Sequence, residues 1–260
     1  HDSDPDSEYE ECLLKARFLT DQEPWASNRQ EETPENDFQI LETFLWKEGA
    51  FEGLDAHLDR MADSAAYFDF PFERNKAVAA LQEKSGMNAA KASDPNAFRV
   101  RLLLSRSGDF SVETRAWALS ADLPHIPAKI RIASESVDSR NIFLFHKTTR
   151  RAFYERHRQE AEKASLADFL FLNERGEVTE GTIHNFFLKR NGVLWTPSLD
   201  CGLLPGIFRA RLLGSGEARE KVIFPEDLQG ADELFIGNSV RGLQKAELVR
   251  ADQKSGLIRK

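Results

Sequence analysis

Lys147 carries the most reactive side chain within reach of a plausible site, in the stretch Asn141-Ile142-Phe143-Leu144-Phe145-His146-Lys147-Thr148-Thr149-Arg150-Arg151. The run Ile142 to Phe145 reads as a buried strand and Arg151 to Lys163 as the helix after it, which leaves Lys147 at the joint. A desolvated amine at such a joint loses its proton and becomes a nucleophile or Schiff-base former. Glu180, in Glu177-Val178-Thr179-Glu180-Gly181-Thr182, places a carboxylate where a strand ends. Two turns, Leu204-Pro205-Gly206-Ile207-Phe208-Arg209 and Gly237-Asn238-Ser239-Val240, offer backbone N–H groups. The first opens a helix, whose dipole adds to the attraction for an anion. Arg60 could clamp the same anion. Taken one at a time, each has an ordinary reading: a solvated lysine, a solvated carboxylate, a Pro-Gly helix cap and a surface arginine.

The elements that position these groups follow from periodicity and turn residues. Phe38 to Trp46 predicts a strand. Leu54 to Phe68 predicts a helix with Leu54, Leu58, Met61, Ala65 and Phe68 as its apolar stripe, leaving His57 and Arg60 off it. Arg74 to Lys84 is a second helix, and Phe98 to Leu104 with Phe110 to Ala118 forms a hairpin around Ser107-Gly108-Asp109. Ile130 to Ala133, Phe169 to Leu172, Val178 to Thr179, His184 to Lys189 and Val193 to Trp195 read as strands. A helix opens at Pro205-Gly206, and Leu234 to Ile236 reads as the last buried strand. The division expected is an N-terminal helix and acidic linker over 1–36, a small α/β domain over 37–120, a connection over 121–128 rich in proline, and a larger α/β domain over 129–260.

The 260 residues are 41% hydrophobic and 30% charged, which suits a soluble globular protein. A net charge of -8 argues against nucleic acid as partner, and no apolar run is long enough to cross a bilayer. Cys12 and Cys201 are too few for a disulfide framework or a metal knuckle. A cytoplasmic location and no metal are expected. A first residue of His1 suggests that the native start lies upstream.

Lysine, carboxylate and two amide-rich turns in this order carry a resemblance. HLDRM with Arg60, FHKTT with Lys147, GEVTEGTIHNFF with Glu180, CGLLPGIFR and GNSVRGL together resemble the fold type IV pyridoxal phosphate enzymes, over residues 38–250. That family includes branched-chain and D-amino acid aminotransferases and 4-amino-4-deoxychorismate lyase. The resemblance implies an α+β, two-domain fold and pyridoxal 5'-phosphate as cofactor. It makes Lys147 the Schiff-base lysine, with Glu180 on the pyridine nitrogen so that the ring can act as an electron sink. It assigns Arg60, Ile207, Phe208, Asn238 and Ser239 to the phosphate. Phe208 stands where the family usually has a threonine, and Ala152, with Tyr154 nearby, where its transaminases often have a tyrosine. Family members usually form homodimers.

The wording HKTTRRAFYERHR and NSVRGL resembles lyase domains fused to aminodeoxychorismate synthase component I. The opening DSDPDSEYEECLLKA resembles the end of that synthase's chorismate-binding domain. The reaction so implied converts 4-amino-4-deoxychorismate to 4-aminobenzoate and pyruvate, a step of folate biosynthesis. Thr43 in LETFLW then matches the lyases' threonine at the reacting centre, and Lys147 with Thr43 would move the protons. Arg99, Arg101 and Arg241 are candidates for the two carboxylates of the substrate. An aminotransferase, or a non-catalytic ligand-binding remnant of the fold, remains the alternative.

Overall fold

The computed structural model describes residues 38–89, 97–117 and 126–250. The helix expected within 1–19, the acidic linker, Cys12 and most of the expected 121–128 connection lie outside the described residues.

The first sheet has the order β2-β1-β3-β4, with β1 at Ile40–Lys47, β2 at Ala50–Phe51, β3 at Ala97–Leu104 and β4 at Phe110–Ala116. Glu48 and Gly49, both at positive φ, make the two-residue turn between β1 and β2. Helices α1 (Leu54–Phe68) and α2 (Arg74–Ala89) supply the rest of this half. Ile40 and Phe44 of β1 share a core with Leu58, Met61 and Ala65 of α1, Leu81 of α2, and Val100, Leu102 and Leu104 of β3. Side chains alternate across a strand, so Glu42 lies on the same face as Ile40 and Phe44. Leu41 and Thr43 occupy the other face.

The second sheet has the order β10-β9-β8-β11-β12-β5-β6-β7, and β7 pairs back onto β8. Its strands are β5 (Ala128–Ile132), β6 (Asp168–Leu172), β7 (Val178–Gly181), β8 (Asn185–Arg190), β9 (Val193–Pro197), β10 (Ala218–Lys221), β11 (Glu233–Asn238) and β12 (Gly242–Leu248). Six of them close a ring around Ile130, Leu170, Val178, Phe186, Leu188, Ile236 and Ala246. The seam of that ring is the pair Glu180–Asn185. Helix α3 (Ala152–Lys163) precedes β6, α4 (Ile207–Gly214) follows β9, and the short α5 (Pro225–Gln229) precedes β11. None of the helices described is long and apolar enough to cross a membrane.

Three expectations need correction. Ile142–Leu144 is a 3-10 turn, not a buried strand. Asn141 caps it by accepting from the Phe143 N–H at 3.0 Å, and Ile142 is 37% exposed. Phe143 instead stacks on Phe68 of α1, so this apolar run is spent on aromatic contacts rather than a ladder. Leu234–Ile236 is not the last strand: β12 follows it, with Ala246 alone fully buried, a pattern too thin to read as a strand. His57, off the apolar stripe of α1, is buried all the same.

Candidate active site

Lys147 owes its place to β1. Because β2 has two residues, the edge of β1 near Ile40 has no strand beside it, and residues 147–149 run along it. Leu41 donates its N–H to the Lys147 carbonyl at 2.9 Å, Thr149 donates to the Gln39 carbonyl at 2.8 Å, and Gln39 donates to Thr149 Oγ1 at 2.9 Å. Lys147 is thus pinned to the strand that carries Thr43, two residues from Leu41.

A cavity of about 890 Å³ opens between the two sheets. Every residue singled out from the sequence lines it: Lys147, Thr43, Glu180, Arg60, Ile207, Phe208, Asn238, Ser239, Arg99, Arg101 and Arg241. Lys147 is half-buried, and burial, helped by the charges of Arg151 and Arg60, lowers its pKa to about 7. A substantial share of its amine is therefore neutral near pH 7. Glu180 is 7% exposed, and burial raises its pKa to about 8. Tyr154 donates to Glu180 Oε1 and Asn185 to Oε2, each at 3.3 Å. Tyr154 holds its own proton well above the usual phenol range, from burial and the neighbouring Glu180.

Asn185 links this carboxyl to the anion turn, donating to the Leu204 carbonyl at 3.0 Å. A Cβ at Gly206 would overlap Asn185 Oδ1, so only glycine lets the two approach. Gly206 is the N-cap of α4, whose first residues are Ile207 and Phe208. The Phe208 ring packs over Gly237 and edge-on to Phe187. Arg60 donates Nη1 to the Pro205 carbonyl at 2.9 Å, which sets it beside that turn.

The opposite turn is held by Asn238, whose Oδ1 accepts from the N–H groups of Val240 and Arg241 and whose Nδ2 donates to the Ile183 carbonyl. The Asn238 side chain is therefore spent on shaping the turn, and Ser239 sits within it. Arg241 lies 4.7 Å above the Trp117 ring, with its pKa lowered by burial and by Arg99. Arg99 is likewise lowered by burial and by Arg101 and Arg115, and its Nε is buried without a hydrogen-bond partner. Arg101 pairs with Glu113 across the hairpin at 2.8 Å. Arg115, Arg151 and Arg158 also line the cavity.

Sequence reasoning missed Glu42 and His57 as part of this site, and passed over Asn185 inside a motif it quoted. A carboxylate between Ile40 and Phe44 on a core-facing strand was the available signal for Glu42, since such a group is buried only with partners.

This donor set fits pyridoxal phosphate. Lys147 is an amine able to meet an aldehyde, and Glu180 is a buried carboxyl bonded to no cation among the described residues, which a ring N–H would complement. Arg60 and the first turn of α4 suit a phosphate.

Comparison with known proteins agrees with the geometry. The sequence profile described as amino-transferase class IV matches residues 39–249. A Schizosaccharomyces pombe protein named "Putative aminodeoxychorismate lyase" is 31% identical over 226 residues, covering 83% of this chain and 92% of its own. A crystal structure of a "Putative amino-acid aminotransferase" from Mesorhizobium loti superposes with a TM-score of 0.75 at 40% identity, covering 82% of this chain and all of that one. A "Putative 4-amino-4-deoxychorismate lyase" from Legionella pneumophila shares the fold, with a TM-score of 0.70 at 21% identity over 81% of this chain and 82% of that one. With its lysine and carboxyl on one cavity between a closed ring of strands and a second sheet, the chain belongs to the class IV aminotransferases, a family of pyridoxal phosphate-dependent enzymes with the type IV fold.

Proposed function

We propose that this chain is a pyridoxal phosphate-dependent lyase that converts 4-amino-4-deoxychorismate to 4-aminobenzoate and pyruvate. The observation that carries this reading is the charge of the cavity. In a protein of net charge -8, its lining gathers Arg99, Arg115 and Arg241, a setting for a substrate with two carboxylates, while Arg101 is paired with Glu113 and Arg158 with Glu155 and Glu162. The similarity to the fission yeast protein supports the same choice.

When bound, pyridoxal phosphate supplies an aldehyde that joins the substrate amine and a ring that stores an electron pair. Arg60 and the amides of Ile207 and Phe208 would hold its phosphate, and Glu180 would hold the proton on its ring nitrogen. Lys147, with its pKa near 7, takes the proton from the amine-bearing carbon of the substrate. Breaking the C–O bond to the enolpyruvyl group leaves the six-membered ring aromatic as 4-aminobenzoate. Protonation of the departing enol carbon gives pyruvate, and Thr43, which lines the cavity on the strand that pins Lys147, would relay that proton. The arginines hold the carboxylates throughout.

The test is pyruvate release from enzymatically made 4-amino-4-deoxychorismate. Release with the cofactor's visible band returning after each turnover supports the lyase. An aminotransferase is the second reading, favoured by the 40% identity to the Mesorhizobium loti structure. It predicts no pyruvate from 4-amino-4-deoxychorismate, and a lasting loss of that band on adding D-alanine, L-leucine or L-glutamate, each leaving as its 2-oxo acid.

A further inference from the structure

We infer that Glu42 is a positioning residue for the anion site: it fixes Arg60 in the orientation that clamps a phosphate at the first turn of α4. The inference rests on the cofactor reading above.

Glu42 is 1% exposed, on the face of β1 that packs against α1. Its Oε1 accepts from Arg60 Nε at 2.8 Å and its Oε2 from Arg60 Nη2 at 2.7 Å. This is the two-point geometry that fixes a guanidinium plane. The same Oε2 accepts from His57 Nδ1 at 2.7 Å, one turn earlier on α1. Burial works to raise the Glu42 pKa, but Arg60 and His57 hold it down at about 2, so the carboxylate stays charged. Arg60 Nη1 is then directed across the cavity wall to the Pro205 carbonyl, one residue before the N-cap of α4. Of the five guanidinium N–H groups, three are engaged in this way, which leaves two for a ligand. His57 packs beside Gly53 together with Ile207, the first residue of α4, so the whole unit abuts the helix end it serves.

An arginine held by a buried carboxylate loses little side-chain entropy on taking up an anion. The carboxylate also cancels part of the arginine's charge, which works against anion binding. Two-point fixation is the larger effect here because the fixed guanidinium already bonds the turn on which the phosphate would sit.

The experiment compares cofactor-free protein binding pyridoxal 5'-phosphate with its binding of pyridoxal, followed by the visible band each aldehyde forms on Lys147. The readout is the ratio of the two dissociation constants, which general damage to the pocket would not move. Glu42→Gln is expected to lower the preference for the phosphorylated aldehyde by at least about tenfold, the worth of one charge-assisted hydrogen bond. Arg60→Met is expected to lower it at least as far, and Glu42→Gln added to Arg60→Met to lower it no further, since Glu42 acts through Arg60. Glu42→Asp, which keeps the charge, should fall between wild type and Glu42→Gln. Should Glu42→Gln fail to fold, Glu42→Asp and the double variant, which buries no unpaired charge of this pair, carry the test. A preference unchanged or raised by the Glu42 variants overturns the inference, as does a further drop in the double variant. A wild-type protein that binds neither aldehyde, or does not favour the phosphorylated one, overturns the cofactor reading and this inference with it. A wild type that favours it while Glu42→Gln keeps that preference overturns this inference alone.

Discussion

Glu180→Gln should make the cofactor-free protein more stable, increasingly so as pH rises from about 4.5 to 8. The unfolded carboxyl releases its proton near 4.5, whereas the folded one, buried at the ring seam, keeps it to about 8. Within that window the unfolded state binds fewer protons than the folded one, so the wild type loses stability as pH rises. At about 1.36 kcal/mol per pH unit, the full window costs about 5 kcal/mol. Solvent entering the adjoining cavity as the group ionises screens part of this, so we expect roughly 2–5 kcal/mol in total. Glutamine matches the protonated carboxyl in size and neutrality; its nitrogen cannot accept as the replaced oxygen does from Tyr154 or Asn185, which adds an offset that does not vary with pH across this window. The difference between the two proteins should therefore be constant below about pH 4 and grow up to pH 8, with no further divergence above it. Urea unfolding at a series of pH values, with m-values checked for equality, gives the difference directly, and other titrations cancel between the two proteins. Pyridoxal phosphate should reverse the order, because a protonated ring nitrogen stabilises the ionised carboxylate and has less to gain from the amide. A difference that stays flat with pH, or that favours the wild type at pH 8 without cofactor, would refute a proton-holding Glu180.

Three further outcomes test the remaining groups. Borohydride treatment with pyridoxal phosphate should label the peptide containing Lys147 in the wild type and no peptide in Lys147→Ala, read by peptide mass. Thr43→Val, which keeps the shape of a half-buried strand residue, should lower kcat for pyruvate release by about 10²–10⁴-fold, with little change in urea midpoint. Arg241→Met, which keeps an apolar stem over Trp117, should raise KM for the two-carboxylate substrate by about 10–100-fold and leave kcat nearly unchanged, the signature of lost uniform binding.

Much of the fold was legible because its apolar periods are strong. The helix read over Leu54–Phe68 is α1 to the residue, and the hairpin around Ser107-Gly108-Asp109 joins β3 to β4. The limits appear where burial and polarity part company. His57 faces the core of its half because Glu42 waits there to accept its Nδ1–H, and no count of apolar positions can register a polar residue that is buried by virtue of its partner. Ile142 to Phe145 failed for the opposite reason. Four apolar residues in a row fit a strand or a compact turn equally well, and the choice was made by Phe38 and Phe68, more than seventy positions away. The eleven residues picked from the sequence do share one cavity, some from strand ends and turns and others, such as Arg60 within α1 and Thr43 within β1, from the middle of an element that borders the gap between the sheets. Arg115, by contrast, belongs to no motif, and Arg151 and Arg158, inside the quoted HKTTRRAFYERHR, carried no signal of their own; all three join the lining through tertiary packing.

Strand β1 shows why the register of one element governs both ends of the site. Its odd positions, Leu41 and Thr43, line the cavity on the side where Lys147 is pinned, while Glu42, one residue along, faces α1 and holds the guanidinium of Arg60. A strand has two faces, so adjacent residues can serve the reacting amine and the anion clamp without competing for space. The same geometry makes the arrangement fragile. Slipping β1 by a single residue against β3, where Thr43 now lies opposite Arg101, would turn the carboxylate toward the cavity and the hydroxyl toward the core. Ile40 and Phe44 guard against that slip, because each would leave a core in which both are almost wholly buried. The apolar pattern of eight residues thus fixes where two polar side chains point, and through them how the amine and the phosphate site are set relative to each other.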